Sequence, residues 1–187
     1  MTRLLAMLLV VLCPVATAAD WDLQQLMASL AKVPSVEARF EERKELAVLA
    51  EPLLLHGTLT YRAPHYLKKQ TLQPYPETYE VDGDWLTIVT PEQRRNLYLP
   101  GHFEVGALVE SIRATLAGDL ATLKRYYQVR LQGSPSAWTL RLEPKESALR
   151  DYVSAIEMSG QQDRVLRMET LEASGDRSVV TITPLDE

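Results

Sequence analysis

Cysteine is almost missing from this sequence: Cys13 is the only one in 187 residues, and it lies inside an N-terminal apolar run. With that run removed, the chain has no disulfide framework, no zinc–thiolate site and no cysteine nucleophile. Histidine is also sparse. His56, His65 and His102 do not pair at metal-ligand spacing, and no His-Glu-x-x-His, Gly-x-Ser-x-Gly or glycine-rich phosphate loop is present. The acidic residues Glu80, Asp82 and Asp84 surround a turn and lack the dozen-residue spacing of a calcium loop. These absences argue against an enzyme and give no cofactor or metal to expect. Basic residues are outnumbered, 20 Lys and Arg against 25 Asp and Glu, for a net charge of −5. That balance argues against nucleic acid as a partner, because phosphate binding needs a basic face. Beyond the N-terminal run, no segment approaches the roughly 20 apolar residues of a membrane helix.

The chain opens instead on an export signal. Arg3 supplies the positive start, residues 4–15 the apolar stretch, and Ala16-Thr17-Ala18 the small-x-small cleavage pattern. Leu12 is bulky where lipid attachment at Cys13 would want a small residue. The reading is therefore a cleaved signal peptide over residues 1–19 and a single mature domain over residues 20–187. Such a domain is large enough to bury a core without staples, and a monomer is expected.

The mature part shows one helical stripe at its start, with Leu23, Leu26, Met27 and Leu30 at the i, i+3, i+4, i+7 spacing. Asp20 or Asp22 can cap it, and Pro34 ends it. The period then shifts toward two. Val36, Ala38 and Phe40 alternate with charged residues and predict a strand over residues 36–46, although Glu41 to Leu46 also suits a helix. Further strands are predicted over residues 53–62, 66–72, 78–81, 85–89 and 94–99. Asp82-Gly83 lies between two of them as a type I′ hairpin turn. Val105, Leu108, Val109, Ile112 and Leu116 then share one helical face, with Gly118 as its C-terminal stop and Asp119 as the cap of a short second helix. Strands resume over residues 126–131, 137–142, 153–158, 165–172 and 178–183. Ten or eleven short, successive strands in one domain favour an antiparallel sheet that must curl. The expected fold is mainly β (α+β): an unclosed, strongly curved antiparallel barrel whose concave apolar face is capped by helices.

Several segments together resemble the LolA family of periplasmic outer-membrane lipoprotein carriers. Val-Pro-Ser-Val-Glu-Ala-Arg-Phe-Glu-Glu at residues 33–42 is similar to that family's first strand. Gly-Thr-Leu-Thr-Tyr-Arg-Ala-Pro at 57–64 resembles its Gly-x-Leu…Arg-Pro segment, and Glu-Val-Asp-Gly-Asp-Trp-Leu at 80–86 its hairpin, closed by Thr90-Pro91. Leu-Arg-Leu-Glu-Pro-Lys at 140–145 is similar to its Leu-x-Pro-Lys strand end. The chain departs from the family pattern at three places: Ala63 separates Arg62 from Pro64, Leu67 replaces an aromatic, and the hairpin reads Trp85-Leu86 rather than Leu-Trp.

The resemblance implies a periplasmic carrier that shelters acyl chains in an apolar cavity and moves lipoproteins from the inner to the outer membrane. Its implied partners are those acyl chains, an inner-membrane release complex and an outer-membrane acceptor. It also implies that Arg62, two residues before Pro64, latches the lid by bonding helix backbone, and that Leu67 stands where the family has an aromatic important for handing cargo on. Tyr79, Trp85, Leu86, Ile88, Leu140, Met158 and Met168 are the expected cavity residues. Two alternatives stay open: a carrier of another lipid or a glycolipid, and a lipid-sensing interaction domain on the same scaffold.

Overall fold

The computed structural model describes residues 21–185. The signal peptide read over residues 1–19, Cys13 and the alternative cap Asp20 lie outside the described residues. The first helix, α1 (Leu23–Leu30), starts at Asp22, whose side chain accepts from the Gln25 backbone N–H at 2.8 Å while the Gln25 side chain accepts from the Asp22 N–H. Both bonds occupy amides that a helix start leaves unpaired. Leu26, Met27 and Leu30 are buried along one stripe.

Eleven strands follow, all antiparallel: β1 (Ser35–Glu45), β2 (Leu53–Arg62), β3 (Tyr66–Gln73), β4 (Glu77–Asp82), β5 (Trp85–Val89), β6 (Arg94–Tyr98), β7 (Tyr127–Ser134), β8 (Ala137–Pro144), β9 (Val153–Gln161), β10 (Arg164–Glu172) and β11 (Arg177–Pro184). Residues 36–45 thus form a strand despite their helical propensity, and Leu46 lies just past its end. Phe40 and Glu42 point inward at every second position, and burial overrides the local preference. Most strands run one to three residues past their expected ends, because hairpin partners extend the ladder into polar sequence.

The spatial order is β6-β5-β4-β3-β2-β1-β11-β10-β9-β8-β7. Two hairpin series are joined where β1 pairs with β11, Phe40 opposite Ile182. The free edges are therefore β6 and β7, and the sheet is a curved, unclosed barrel. Between these edge strands in sequence run α2 (Phe103–Leu116) and α3 (Leu120–Tyr126), so the chain that crosses the opening is helical. A fourth helix, α4 (Ser147–Arg150), links β8 to β9. It is too short to show a period in sequence.

Two local expectations are corrected. The β4–β5 hairpin pairs Asp82 with Trp85, so its two turn residues are Gly83 and Asp84, not Asp82-Gly83. Gly83 alone has a positive φ, +55°, whereas a type I′ turn needs one at both positions. On α2 the most buried residues are Ala107, Ser111, Ala114 and Thr115, small side chains between the expected larger ones. This helix is held from two sides, and close approach favours small residues along the line of contact. The Ser111 and Thr115 hydroxyls bond back to the carbonyls of Leu108 and Ser111, both at 2.6 Å. Tyr127 adds a bond from its hydroxyl to the Ala107 carbonyl at 3.0 Å.

Candidate functional site

Residues directly opposite in an antiparallel ladder point to the same face. One line across the inner face therefore runs Leu97–Leu86–Val81–Leu67–Tyr61–Val36. A second runs Ile88–Tyr79–Lys69–Leu59–Ala38. On the other half, Glu42, Val180, Met168, Met158 and Leu140 follow one another from β1 to β8.

The helices cover this face unevenly. Over β7–β9, residues of all four α-helices pack on Trp138, Leu140, Leu142, Ile156 and Met158. Over β4–β5, Val105 and Val109 of α2 pack on Val81 and Leu86. The middle cluster of Phe40, Leu55 and Val180, with half-buried Leu53, Leu59, Met168 and Ile182, contains no helical residue. α2 therefore covers the apolar inner face over both flanks, and between them Phe40, Leu55 and Val180 pack with their neighbours in a cluster joined to the helix-covered one through Met168.

The ten expected residues separate by this geometry. Leu67, Tyr79, Leu86, Ile88, Leu140, Met158 and Met168 all point inward. Leu140 and Met158 are packed under helices, while Leu67, Tyr79, Ile88 and Met168 are half-buried. Trp85 does not line the inner face. Strand alternation turns it to the outer face, where it is 53% exposed and meets Tyr98 at 5.1 Å between ring centroids. Arg62 is turned outward by the same alternation. Its guanidinium lies 5.3 Å over the Tyr66 ring, and among the described residues it makes no hydrogen bond to a helix. Pro64 is exposed at the β2–β3 turn, on the rim of a groove of about 290 Å³ whose other wall is Glu110, Arg113, Thr122 and Tyr126.

The arginine that ties helix to sheet is Arg113, on α2. Its Nη1 donates to the Gly83 carbonyl at the hairpin turn, at 2.6 Å, and its Nε and Nη2 engage the Glu110 carboxylate. Nothing in the sequence distinguishes Arg113 from a surface helix arginine, because its acceptor lies 30 residues away.

A second group escaped the sequence reading. Glu42 is 4% exposed on the inner face, within a stretch of charged residues that alternation alone sorts into inner and outer. Its Oε1 accepts from the Ser178 hydroxyl at 2.6 Å and lies 3.7 Å from the Lys44 ammonium, and its Oε2 is held by Lys69. Burial pushes its carboxyl pKa up, but the Lys69 charge and bond, the Ser178 bond and the Lys44 charge outweigh this and hold it below the usual carboxylate value. Lys69 also sits 4.9 Å over the Phe40 ring. Beside it, burial and the bond to Glu77 raise the Tyr79 hydroxyl pKa. The Tyr61 hydroxyl, in a residue only 3% exposed, has no hydrogen-bond partner among the described residues. Among those residues, no group of His, Cys, Asp and Glu could hold a metal ion, and no helix is long and apolar enough to cross a membrane.

This fold is an unclosed, curved antiparallel β-barrel whose apolar inner face is partly covered by helices. The chain belongs to the family described as outer membrane lipoprotein carrier protein LolA-like, whose pattern matches residues 13–183. Among solved structures it is similar to a LolA superfamily protein from Nitrosomonas europaea, at 13% identity and a TM-score of 0.47 over 88% of this chain and 93% of that one. It is similar to the Mycobacterium tuberculosis lipoprotein LppX, at 13% identity and a TM-score of 0.42 over 84% and 93%. It is also similar to a chain of the Pseudomonas aeruginosa MucA/MucB complex, at 14% identity and a TM-score of 0.45 over 89% and 57%. The search of curated proteins returns no match.

Proposed function

We propose that this protein is a periplasmic carrier that holds the acyl chains of a lipoprotein, or of another lipid, against the inner face of the barrel while they cross an aqueous space. In this reading residues 1–19 direct export and are removed, and residues 20–187 act as one carrier domain. Cargo comes from an inner-membrane release complex and passes to an outer-membrane acceptor. Membership of the LolA-like family supports the class. The observation that carries the reading is the middle of the inner face, where Leu53, Leu59 and Ile182 remain half-buried in a cluster that includes no helical residue.

The energetics fit this role. Each CH₂ removed from water is worth about 0.8 kcal/mol, so an acyl chain exposed to water is unfavourable by on the order of 10 kcal/mol. An apolar inner face offsets that cost, and release requires the helices covering it to move. The tie from Arg113 to Gly83 takes the place of the latch expected at Arg62: one bidentate contact with Glu110 sets the guanidinium, and one bond holds the hairpin. In the loaded protein α2 moves off the sheet and this bond opens.

The reading is tested by isolating the mature protein from periplasm under native conditions and identifying by mass spectrometry what travels with it. An acyl-bearing molecule at near-stoichiometric amount is expected. Recovery of the protein with no acylated species under conditions that retain a control carrier's cargo contradicts the reading.

A further inference from the structure

The inner face is not uniformly apolar, and its polar part has a definite polarity. Glu42 lies deepest, with Lys69 and Lys44 at 28% and 37% side-chain exposure nearer to solvent. Both carboxylate oxygens are occupied, by Ser178 and Lys44 on one and Lys69 on the other. Each ammonium carries three N–H donors; among the described residues both pair with Glu42 alone, and Glu77, the next carboxylate on this face, is engaged by the Tyr79 hydroxyl. The cluster borders the apolar middle of the inner face: Glu42 neighbours Val180 and Leu55 across the ladder, and Lys69 is opposite Leu59. Tyr61, beside Leu67 on the same face, adds a hydroxyl that lacks a partner among the described residues. Stability alone is a weak reason for the cluster, since a buried ion pair is commonly no better than well-packed apolar side chains of the same volume.

We infer that the inner face is built for an amphiphile with an anionic headgroup, a carboxylate or a phosphate, seated on Lys69 and Lys44 with its chain along Leu59 and Ile182. This inference rests on the carrier reading and narrows it. Glu42 positions the two ammonium groups and keeps the empty site from being a bare pair of buried cations. A neutral lipid fills the apolar part equally well but leaves the donors unmet.

The test is displacement of a fluorescent acyl probe from the purified mature protein by hexadecanoate, hexadecyl phosphate, hexadecanol and inorganic phosphate alone. The two anionic amphiphiles are expected to compete at least about tenfold more strongly than hexadecanol, and inorganic phosphate not at all. The preference is expected to fall to about threefold or less in the neutral pair Glu42→Gln/Lys69→Gln and in Lys44→Met, which leaves the buried pair intact, while hexadecanol competes as before. Equal competition by hexadecanol, or a preference that survives both variants, overturns the headgroup site and leaves the carrier reading standing. Effective competition by inorganic phosphate alone assigns the cluster to a free anion and also overturns it. Failure of every amphiphile and of the probe to bind overturns both readings.

Discussion

Arg113 Nη1 donates to the Gly83 carbonyl at 2.6 Å, joining the lid helix α2 to the tip of the β4–β5 hairpin. The bond is charge-assisted and mostly buried, in the class worth about 1.5–3 kcal/mol. Arg113→Leu is expected to raise amide exchange in α2 and in the hairpin and to speed release of a bound acyl probe. Arg62→Leu, which removes a guanidinium lying over Tyr66 on the outer face, is expected to change neither. Hydrogen exchange by mass spectrometry on the two variants checks this, and an effect of Arg62→Leu equal to that of Arg113→Leu contradicts it.

Glu42 and Lys69 predict a strong asymmetry between single and double changes. Lys69→Met leaves the Glu42 carboxylate buried beside Ser178 and the more distant Lys44, and is expected to cost about 3–5 kcal/mol. Glu42→Leu/Lys69→Met removes both charges and is expected to cost well under half of that. Urea unfolding of the two variants decides it.

The same carboxylate makes stability depend on pH. Its folded pKa lies below the usual value, so the unfolded chain binds the proton more readily. The contribution is fully present above the unfolded pKa of about 4.3 and is lost as pH falls through the lower folded value. Asp119 and Glu169 are also shifted downward, by bonds to Thr122 and to Arg177 respectively, so the whole protein loses stability in acid. Glu42→Gln is expected to be less stable than the parent at pH 7, and the gap is expected to narrow below about pH 4. Thermal unfolding from pH 7 to pH 3 measures that gap.

Gly57 is required where the β2–β3 register shifts between His56 and Gly57. A Cβ there would lie 1.9 Å from the Gln70 carbonyl oxygen and 2.7 Å from Phe40 Cε1, whose ring covers the glycine. Gly160 repeats the arrangement under Trp138, at 2.6 Å from Cζ2. Gly57→Ala must move either the β3 backbone or a core ring, and is expected to destabilise by about 2–3 kcal/mol. Gly101→Ala, where an added Cβ meets nothing within 4 Å, serves as the control in the same denaturation series.

Much of the fold was legible in the sequence because local and tertiary signals agreed. The Asp22 cap of α1, the presence of a hairpin around Gly83 and the period-two run of β2 each needed only neighbouring residues to be read. The pairing of β1 with β11, 136 residues apart at Glu42 and Ser178, follows from curvature and leaves no local trace. The site was less legible for a related reason. Apolar type on a strand put Leu86, Leu140, Met158 and Met168 in the expected cavity, and all four face inward. It could not separate those packed under helices from those left open. Trp85 and Arg62 were drawn into the expected site by chemical type and family position, while strand alternation placed them outside. Arg113, Glu42 and Lys69 act through partners on distant strands, and single residues in charged stretches carry no sign of that.

The most direct measurement of the carrier function is a release assay. Spheroplasts bearing labelled outer-membrane lipoproteins are incubated with the purified mature protein, and soluble lipoprotein bound to it is quantified. Release in a complex with this protein is expected, weakened by Ile182→Arg on the inner face and unaffected by Trp85→Ala on the outer face. No release beside a working control carrier, or release that Ile182→Arg leaves intact, contradicts it.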